Sequence, residues 1–437
     1  MKKVAVIGGG FAGLSAAVRL AENGFKVHIL EASPKLGGRA YSFYSEKYQQ
    51  YLDNGQHILM GCYRETLDFI TTIGAKDRIT IQKNLEVPFI TETGEVHTLT
   101  PPGDRVIPRM IRLGAALFRY KSLSFSERFS IAKLFLKIKD LKVTIPEHLD
   151  AAAWLSQEGI SENSIKRFFE ILGISALNAT LKESSASVFR RILREIFFGI
   201  EGSERIILPS VGLSQMYCEP AVAYLKEKGS EVELSKSLDT IVHDGTMAGK
   251  LIAGEEEYTD FDAVILAVPP YALSRIKGCE FLVDTVHQTY TYAPIISAHL
   301  FLARNYPEKP FYALHRSPIH WVFNHGSRLT LVISAAYDIV EKSNEYLYAI
   351  IVRELSNYLD ISAQDILDYQ IIKEKRATVV PSAGNIFKRP GTITNLKNLF
   401  LAGDWTDTGL PSTIESAVIS GNRAAESATK YLVSELY

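Results

Sequence analysis

The sequence predicts an α/β fold, of the two-domain α+β kind, from three observations. A strand, a glycine-rich turn and a helix open the chain. An apolar strand ending in Gly-Asp, followed by a long helix of small residues, closes it. Two stretches between them, roughly 76–205 and 276–385, fit neither end. The two ends read as parts of one Rossmann-like dinucleotide-binding domain, built from 1–75, 206–275 and 386–437. The leftover stretches read as an interleaved substrate domain, a mixed sheet with a helical cap.

The 437 residues suffice for two such domains. Hydrophobic residues are 46% and charged residues 22%, an ordinary globular balance, and a net charge of -1 offers no field that would attract nucleic acid. Cys62, Cys218 and Cys279 are scattered and odd in number, without metal-ligand spacing, so they read as buried thiols in a reducing compartment and no metal is expected. No apolar run approaches the roughly 20 residues of a spanning helix. The expected location is cytoplasmic, free or held peripherally on the inner face of the cytoplasmic membrane.

At the N-terminus Val4-Ala5-Val6-Ile7 is apolar throughout, as a strand buried on both faces must be. Gly8, Gly10 and Gly13 form G-x-G-x-x-G. Gly8 permits the tight turn, Gly10 lets a pyrophosphate approach the backbone, and Gly13 lets helix and strand pack closely. Leu14, Ala17, Val18 and Ala21 recur at helical spacing, and Gly24 suits a helix end. The helix start, with Phe11 and Ala12, offers free N–H groups and a positive dipole end to phosphate. Phe25–Leu30 reads as the second strand. Glu31, 18 residues after Gly13 and followed by Ala32, can accept ribose hydroxyls and would repel a 2′-phosphate.

Leu36-Gly37-Gly38-Arg39-Ala40 follows. It resembles the G-G-R motif of the FAD-dependent amine oxidase and carotenoid desaturase superfamily, which implies FAD, with Gly38 and Arg39 along the pyrophosphate and flavin end. A cation beside a diphosphate is sensible by charge alone.

At the C-terminus Leu399–Ala402 is an apolar strand leading into Gly403-Asp404, and Ser412-Thr413-Ile414-Glu415 has the form of a capping box with Ser412 as N-cap. Small residues mark one face of the helix that follows. The segment resembles the superfamily's second flavin motif. That implies Asp404 at the ribityl or phosphate region, and a helix start, Thr413 and Ile414, directed at the flavin N1/C2=O2 edge, where its dipole favours negative charge on reduced flavin.

Between the ends, Gly212–Lys228 reads as a helix, Val232–Leu234 and Leu238–Val242 as short strands, and Asp262–Pro270 as a buried strand closed by two prolines. Such a meander fits the superfamily, in which the backbone near Ile241 would contact the adenine end. In the second stretch Ile295–Phe301 and Leu329–Ala335 read as strands, with helices expected around 343–358 and 362–369.

Residues 104–142 carry Arg105, Arg109, Arg112, Arg119, Lys121, Arg128, Lys133, Lys137, Lys139 and Lys142 against Asp104, Glu127 and Asp140. Apolar residues, Ile111, Phe118, Phe125 and Phe129 among them, lie between. On helices this mixture suits an anionic membrane surface. A basic cap packed only on its own protein fits the same residues.

More particular segments point to a substrate. Tyr51–Thr66, with Asp53-Asn54-Gly55-Gln56-His57 near its start, resembles the D-N-G-Q-H signature of the hydroxysqualene dehydroxylases, also called squalene-associated FAD-dependent desaturases. Ala176-Leu177-Asn178, Ala186–Phe189, Trp321-Val322-Phe323 and Ala402–Pro411 match further, so the resemblance spans nearly the whole chain. Asn324-His325-Gly326 departs from it, because the family often has an acidic-then-basic pair there. The resemblance implies reductive dehydroxylation of a polyisoprenoid allylic alcohol by reduced FAD, with Gly55 near the cofactor. It offers His57 as the acid, with Gln56 and Asp53 as orienting neighbours, and Asp407 as a second acid candidate. Asp53 has an alternative role, bonding backbone at a turn. With no second dinucleotide fingerprint, electrons must come from a reductase or free reduced nicotinamide. Two rivals share the flavin motifs: a phytoene or carotenoid desaturase running in the oxidative direction, and a non-catalytic isoprenoid escort protein.

Overall fold

The computed structural model describes residues 2–103, 107–140, 142, 144–282, 290–306 and 308–435. Asp104 and Arg105, counted above in the basic segment, lie outside the described residues.

The opening strand, Lys3–Ile7, pairs in parallel with Lys26–Glu31 on one side and Ala263–Leu266 on the other. Glu231–Leu234 and Leu399–Leu401 complete a five-stranded parallel sheet at its two edges. All four residues of Ala263–Leu266 are buried, which explains its unbroken apolar run. Helix Phe11–Glu22 and the last helix, Ile414–Ser434, cover one face. They approach closely because Gly421 has no side chain: a Cβ there would sit 2.2 Å from the Ala12 carbonyl oxygen. The buried Ala424, Ala425 and Ala428 continue this contact. A three-stranded meander, Thr240–His243, Ala248–Ala253 and Glu256–Tyr258, packs on the other face.

The second sheet has seven strands in the order Ile366–Val379, Tyr292–Leu302, Arg328–Ser334, Trp321–Asn324, Phe311–Leu314, Val87–Ile90, Val96–Leu99. Period-two alternation divides its two faces. Ile296, Ala298 and Leu300 pack on helix Asn344–Leu359, while Trp321, Phe323 and Val332 turn toward the helical cap. The cap comprises Arg109–Arg119, Phe125–Lys139, Ala151–Gln157, Glu170–Leu177 and Ala186–Phe198. Asn178 ends the fourth of these in the left-handed conformation (φ 47°) and its amide reaches the Ala293 carbonyl, Thr378 and the Ala335 N–H, fastening the cap to two strands and to the residue that follows a third.

Two expectations change. Residues 362–369 are not a helix. Ser362 and Asp365 cap a single turn, Ala363–Asp365, and Ile366–Val379 then runs as a strand along Tyr292–Leu302, a long pairing that overrides local helix preference. Arg109 and Arg112 are not surface cations. Arg109 pairs with buried Glu204 at 2.7 Å and donates to the Gly199 and Ile196 carbonyls, and buried Arg112 pairs with Glu201 at 2.8 Å.

Candidate flavin site

Gly8 turns at φ 107°, and a Cβ on it would meet the Ala267 carbonyl oxygen at 2.6 Å; one on Gly13 would sit 1.9 Å from the Gly8 oxygen. These contacts are the tight turn and close packing that the spacing implies. Gly10 is the N-cap of the first helix and supplies no side-chain cap, so the first amides of that helix are left for a ligand. The Gly37-Gly38 turn folds back over it, with the Gly37 amide on the Gly9 carbonyl at 2.9 Å. A Cβ on Gly38 would lie 3.4 Å from Gly10 Cα, so two side-chain-free backbones face each other. Helix-start amides beside two facing glycine backbones fit a pyrophosphate.

Glu31 accepts the Gly9 amide at 2.6 Å with one oxygen and the Ser33 amide at 2.7 Å with the other. Each oxygen keeps a lone pair for a ribose hydroxyl. Ala32 beside it is exposed. Arg39 donates to the Ala377 carbonyl at 2.9 Å and to Asp404, joining the first and second flavin motifs. Gly403 sits at φ 144° with buried Trp405 against it, and Ser420 accepts its amide at 2.8 Å.

The last helix begins differently from the capping box read in the sequence. Thr413, not Ser412, is its N-cap, accepting the Ser416 amide at 3.2 Å. Glu415 turns away to the start of helix Arg64–Thr72, where it accepts the Glu65 and Thr66 amides at 3.1 and 2.9 Å and the Thr66 hydroxyl at 2.7 Å. Ser412 instead accepts the Val379 amide. Thr413 and Ile414 do stand at the helix start. The Ile241 amide is committed to the Lys277 carbonyl at 2.8 Å, so that N–H is not free for adenine.

The structure also shows what holds the Gly-Gly-Arg turn, which sequence reasoning missed. Asn54 accepts the Tyr41 amide and donates to the Arg39 carbonyl at 2.9 Å. Tyr217 stacks on Phe11 at 3.7 Å between centroids, and its hydroxyl faces the Gly37 and Ala40 carbonyls. Asn54 was visible as part of D-N-G-Q-H, whereas Tyr217 carried no local signal.

Asp53 accepts the Ser42 hydroxyl at 2.7 Å and the Leu213 amide at 2.9 Å with one oxygen, pinning the turn that precedes helical residues 213–227. Burial pushes its carboxyl above the ordinary range, against those two hydrogen bonds. His57 faces the Gly55 carbonyl through Nδ1 at 2.8 Å. A carbonyl only accepts, so Nδ1 carries the proton and, in the neutral ring, Nε2 presents a lone pair. Burial lowers the His57 pKa, with the Gly55 carbonyl and Asp53 acting the other way. Gln56 is half-buried between them in the chain. His299, on the second sheet, gives Nε2–H to the Asp53 carbonyl at 2.9 Å and accepts from Thr330 at Nδ1. Asp53 and Gly55 thus lie against the second sheet, at His299 and Ser297. Asp407 is exposed, its amide on the Pro390 carbonyl.

A parallel dinucleotide sheet whose glycine turns are joined by Arg39 to a second motif at the far end of the chain defines a flavin-dependent oxidoreductase with FAD as its cofactor. The family of flavin containing amine oxidoreductases matches residues 11–429, and the chain belongs to that family and, within it, to the hydroxysqualene dehydroxylases. It is 32% identical over 432 residues to hydroxysqualene dehydroxylase of Rhodopseudomonas palustris, covering 97% of this chain and 98% of that one. Identity to 15-cis-phytoene desaturase of Synechococcus elongatus is 25% over 464 residues, covering 97% and 95%. A solved putrescine oxidase double mutant superposes with a TM-score of 0.73 at 16% identity, covering 98% of this chain and 99% of that one, and shares the fold.

Proposed function

We propose that the chain reduces hydroxysqualene to squalene. The observation that carries this reading is the near-complete match to hydroxysqualene dehydroxylase, at higher identity than to phytoene desaturase. The site chemistry agrees: the segment carrying Asp53 and His57 rests on His299 and Ser297, and Ser297 pairs across the strands with Val332 and Val332 with Trp321, both apolar. Bound and reduced, FAD supplies a hydride. A proton moves to the allylic hydroxyl, the C–O bond breaks, water leaves, and the resulting allylic cation takes the hydride to form the new C–H bond. Water must be excluded while the cation exists, which an apolar wall achieves. His57 delivers the proton from Nε2 in its imidazolium form, which the Gly55 carbonyl and Asp53 favour while burial, the larger influence, opposes it. Electrons reach the flavin from a separate donor.

Anaerobic enzyme, photoreduced and mixed with hydroxysqualene, should yield squalene by mass. Unchanged alcohol, or a more desaturated product, would reject the reading. His57→Ala with its flavin retained should lose at least a hundredfold in kcat. Near-normal turnover would remove His57 from the chemistry.

The same reading includes a peripheral membrane site. No helix among the described residues is long and apolar enough to cross a membrane. Ile111, Phe118, Phe125, Phe129 and Leu136 are nevertheless exposed along the first two cap helices. Phe118 and Phe125 touch at 5.8 Å between centroids, making the two helices one apolar stripe. Exposed Arg119, Lys121 and Lys133 accompany it, a combination suited to anionic lipid.

A further inference from the structure

Strand Tyr292–Leu302 alternates its side chains, and Ser297 faces away from the helix that Ile296 and Ala298 pack against. Its hydroxyl is buried, with 1% of the residue exposed, and has no hydrogen-bond partner among the described residues. Buried polar atoms are almost always paired, so an orphaned hydroxyl calls for an explanation. Its position supplies one. A Cβ placed on Gly55 would lie 2.9 Å from Ser297 Oγ, so the hydroxyl rests against the segment that carries Asp53 and His57. His57 gives its Nδ1 proton to the Gly55 carbonyl. A donor and an acceptor without hydrogen-bond partners among the described residues, Ser297 Oγ–H and His57 Nε2, therefore flank one glycine. Across the sheet Ser297 pairs with Val332, and Val332 with Trp321, which begins an apolar row.

We infer that Ser297 is a substrate-contact residue that, with His57, seats the single hydroxyl of a polyisoprenoid alcohol whose hydrocarbon lies along Val332 and Trp321. The inference rests on the substrate reading above. An alcohol has one proton to donate and lone pairs to accept: it would donate to His57 Nε2 and accept from Ser297. That arrangement holds the C–O bond beside the ring; once the ring takes up a proton from solvent, Nε2–H donates to the alcohol oxygen instead and can deliver that proton. A hydrocarbon product has nothing to offer either group, so the seat favours alcohol over product.

The test uses holoenzyme and a matched pair of ligands. Ser297→Ala should raise the KM for hydroxysqualene about tenfold, the worth of one hydrogen bond, and leave the inhibition constant of squalene within about twofold. Ser297→Thr, which keeps the hydroxyl, should stay close to wild type. Because the native hydroxyl has no partner among the described residues, Ser297→Ala should keep its flavin and its Tm. Equal weakening toward both ligands, no change toward either, or a fall in Tm on removing the hydroxyl would overturn the inference. Wild-type enzyme that makes no squalene would overturn the substrate reading itself, and the seat with it; squalene formation with unchanged discrimination in Ser297→Ala would overturn the seat alone.

Discussion

Arg39 and Asp404 form an ion pair across 365 residues of sequence, and this contact locks the two flavin motifs together. Asp404 is almost fully buried, while Arg39 keeps about a third of its side chain exposed (32%). A buried carboxylate of this kind depends on its partner. The guanidinium also holds the Ala377 carbonyl, so one side chain ties the Gly-Gly-Arg turn to the loop before the last helix and to the long edge strand. No side chain with a single donor can do both.

Asp404→Ala and Arg39→Ala should therefore both release FAD, weakening its retention about tenfold or more. Arg39→Lys should rescue only part of this, because an ammonium lacks the planar fork. The ratio of flavin to protein absorbance after desalting measures it. Full flavin content in Asp404→Ala would contradict the assigned role.

Acid lability is the second prediction. His299 and His315 are each 1% exposed, and burial lowers both to about 4. His315 is also held down by Arg167 and stacks on Phe89 while facing the Tyr120 hydroxyl at 2.7 Å. In the unfolded chain both take protons near pH 6.5. Between about 6.5 and 4 the unfolded state binds more protons, so stability rises with pH there: the contribution is complete above 6.5 and lost as pH falls through the folded value. At the limit each ring accounts for about 3 kcal/mol. Burial raises Asp53 and Glu415, which act the other way and soften the slope. Tm should fall steadily from pH 7 to 5, and a His299→Asn, His315→Asn double variant should show a flatter profile. A wild-type Tm independent of pH over that range would contradict this.

Much of this was legible because it is local. Gly8, Gly10, Gly13 and Glu31 fall within one strand–turn–helix–strand unit, and their spacing is set by backbone geometry that any reader of the sequence can apply. The D-N-G-Q-H segment could be located but not resolved into roles. Asn54 proves to be a brace for Arg39, and Asp53 an acceptor at a turn, only because residues 41–42 and 213 fold beside them. Tyr217 and Ser297 were invisible for the same reason: a tyrosine in a helix and a serine in a strand announce nothing until their neighbours are known. The helix expected at 362–369 failed because a long-range strand partner decided the matter.

Glu415 shows how a short motif can satisfy its pattern and still do something else. Ser-x-x-Glu predicted a cap for its own helix, but the carboxylate caps helix Arg64–Thr72 instead, through two amides and the Thr66 hydroxyl. Glu415→Ala should destabilise the fold by about 2 kcal/mol, since it strips a buried helix start of its acceptor. Glu415→Gln keeps one carbonyl oxygen and should lose less. Tm and urea midpoints measure both, and a neutral Glu415→Ala would place the stability of that helix elsewhere.

The exposed stripe on the cap separates membrane docking from a merely basic surface. Phe125 and Phe129 lie one helical turn apart and are 72% and 62% exposed, so they contribute little to the protein's own core. Ile131, Leu134 and Ile138 of the same helix are buried and hold it in place. Replacing both exposed rings by serine should therefore leave flavin content and Tm unchanged and still abolish co-sedimentation with anionic vesicles. Replacing Arg119, Lys121 and Lys133 by glutamine should weaken binding in proportion to the anionic lipid fraction, about 1 kcal/mol per side chain, and high salt should mimic that loss. Turnover of substrate delivered in detergent should survive both sets of changes, and turnover of substrate embedded in vesicles should not. Wild-type protein that ignores anionic vesicles, or a Phe125→Ser, Phe129→Ser variant that binds them as well as wild type, would remove the stripe from any role at a lipid surface.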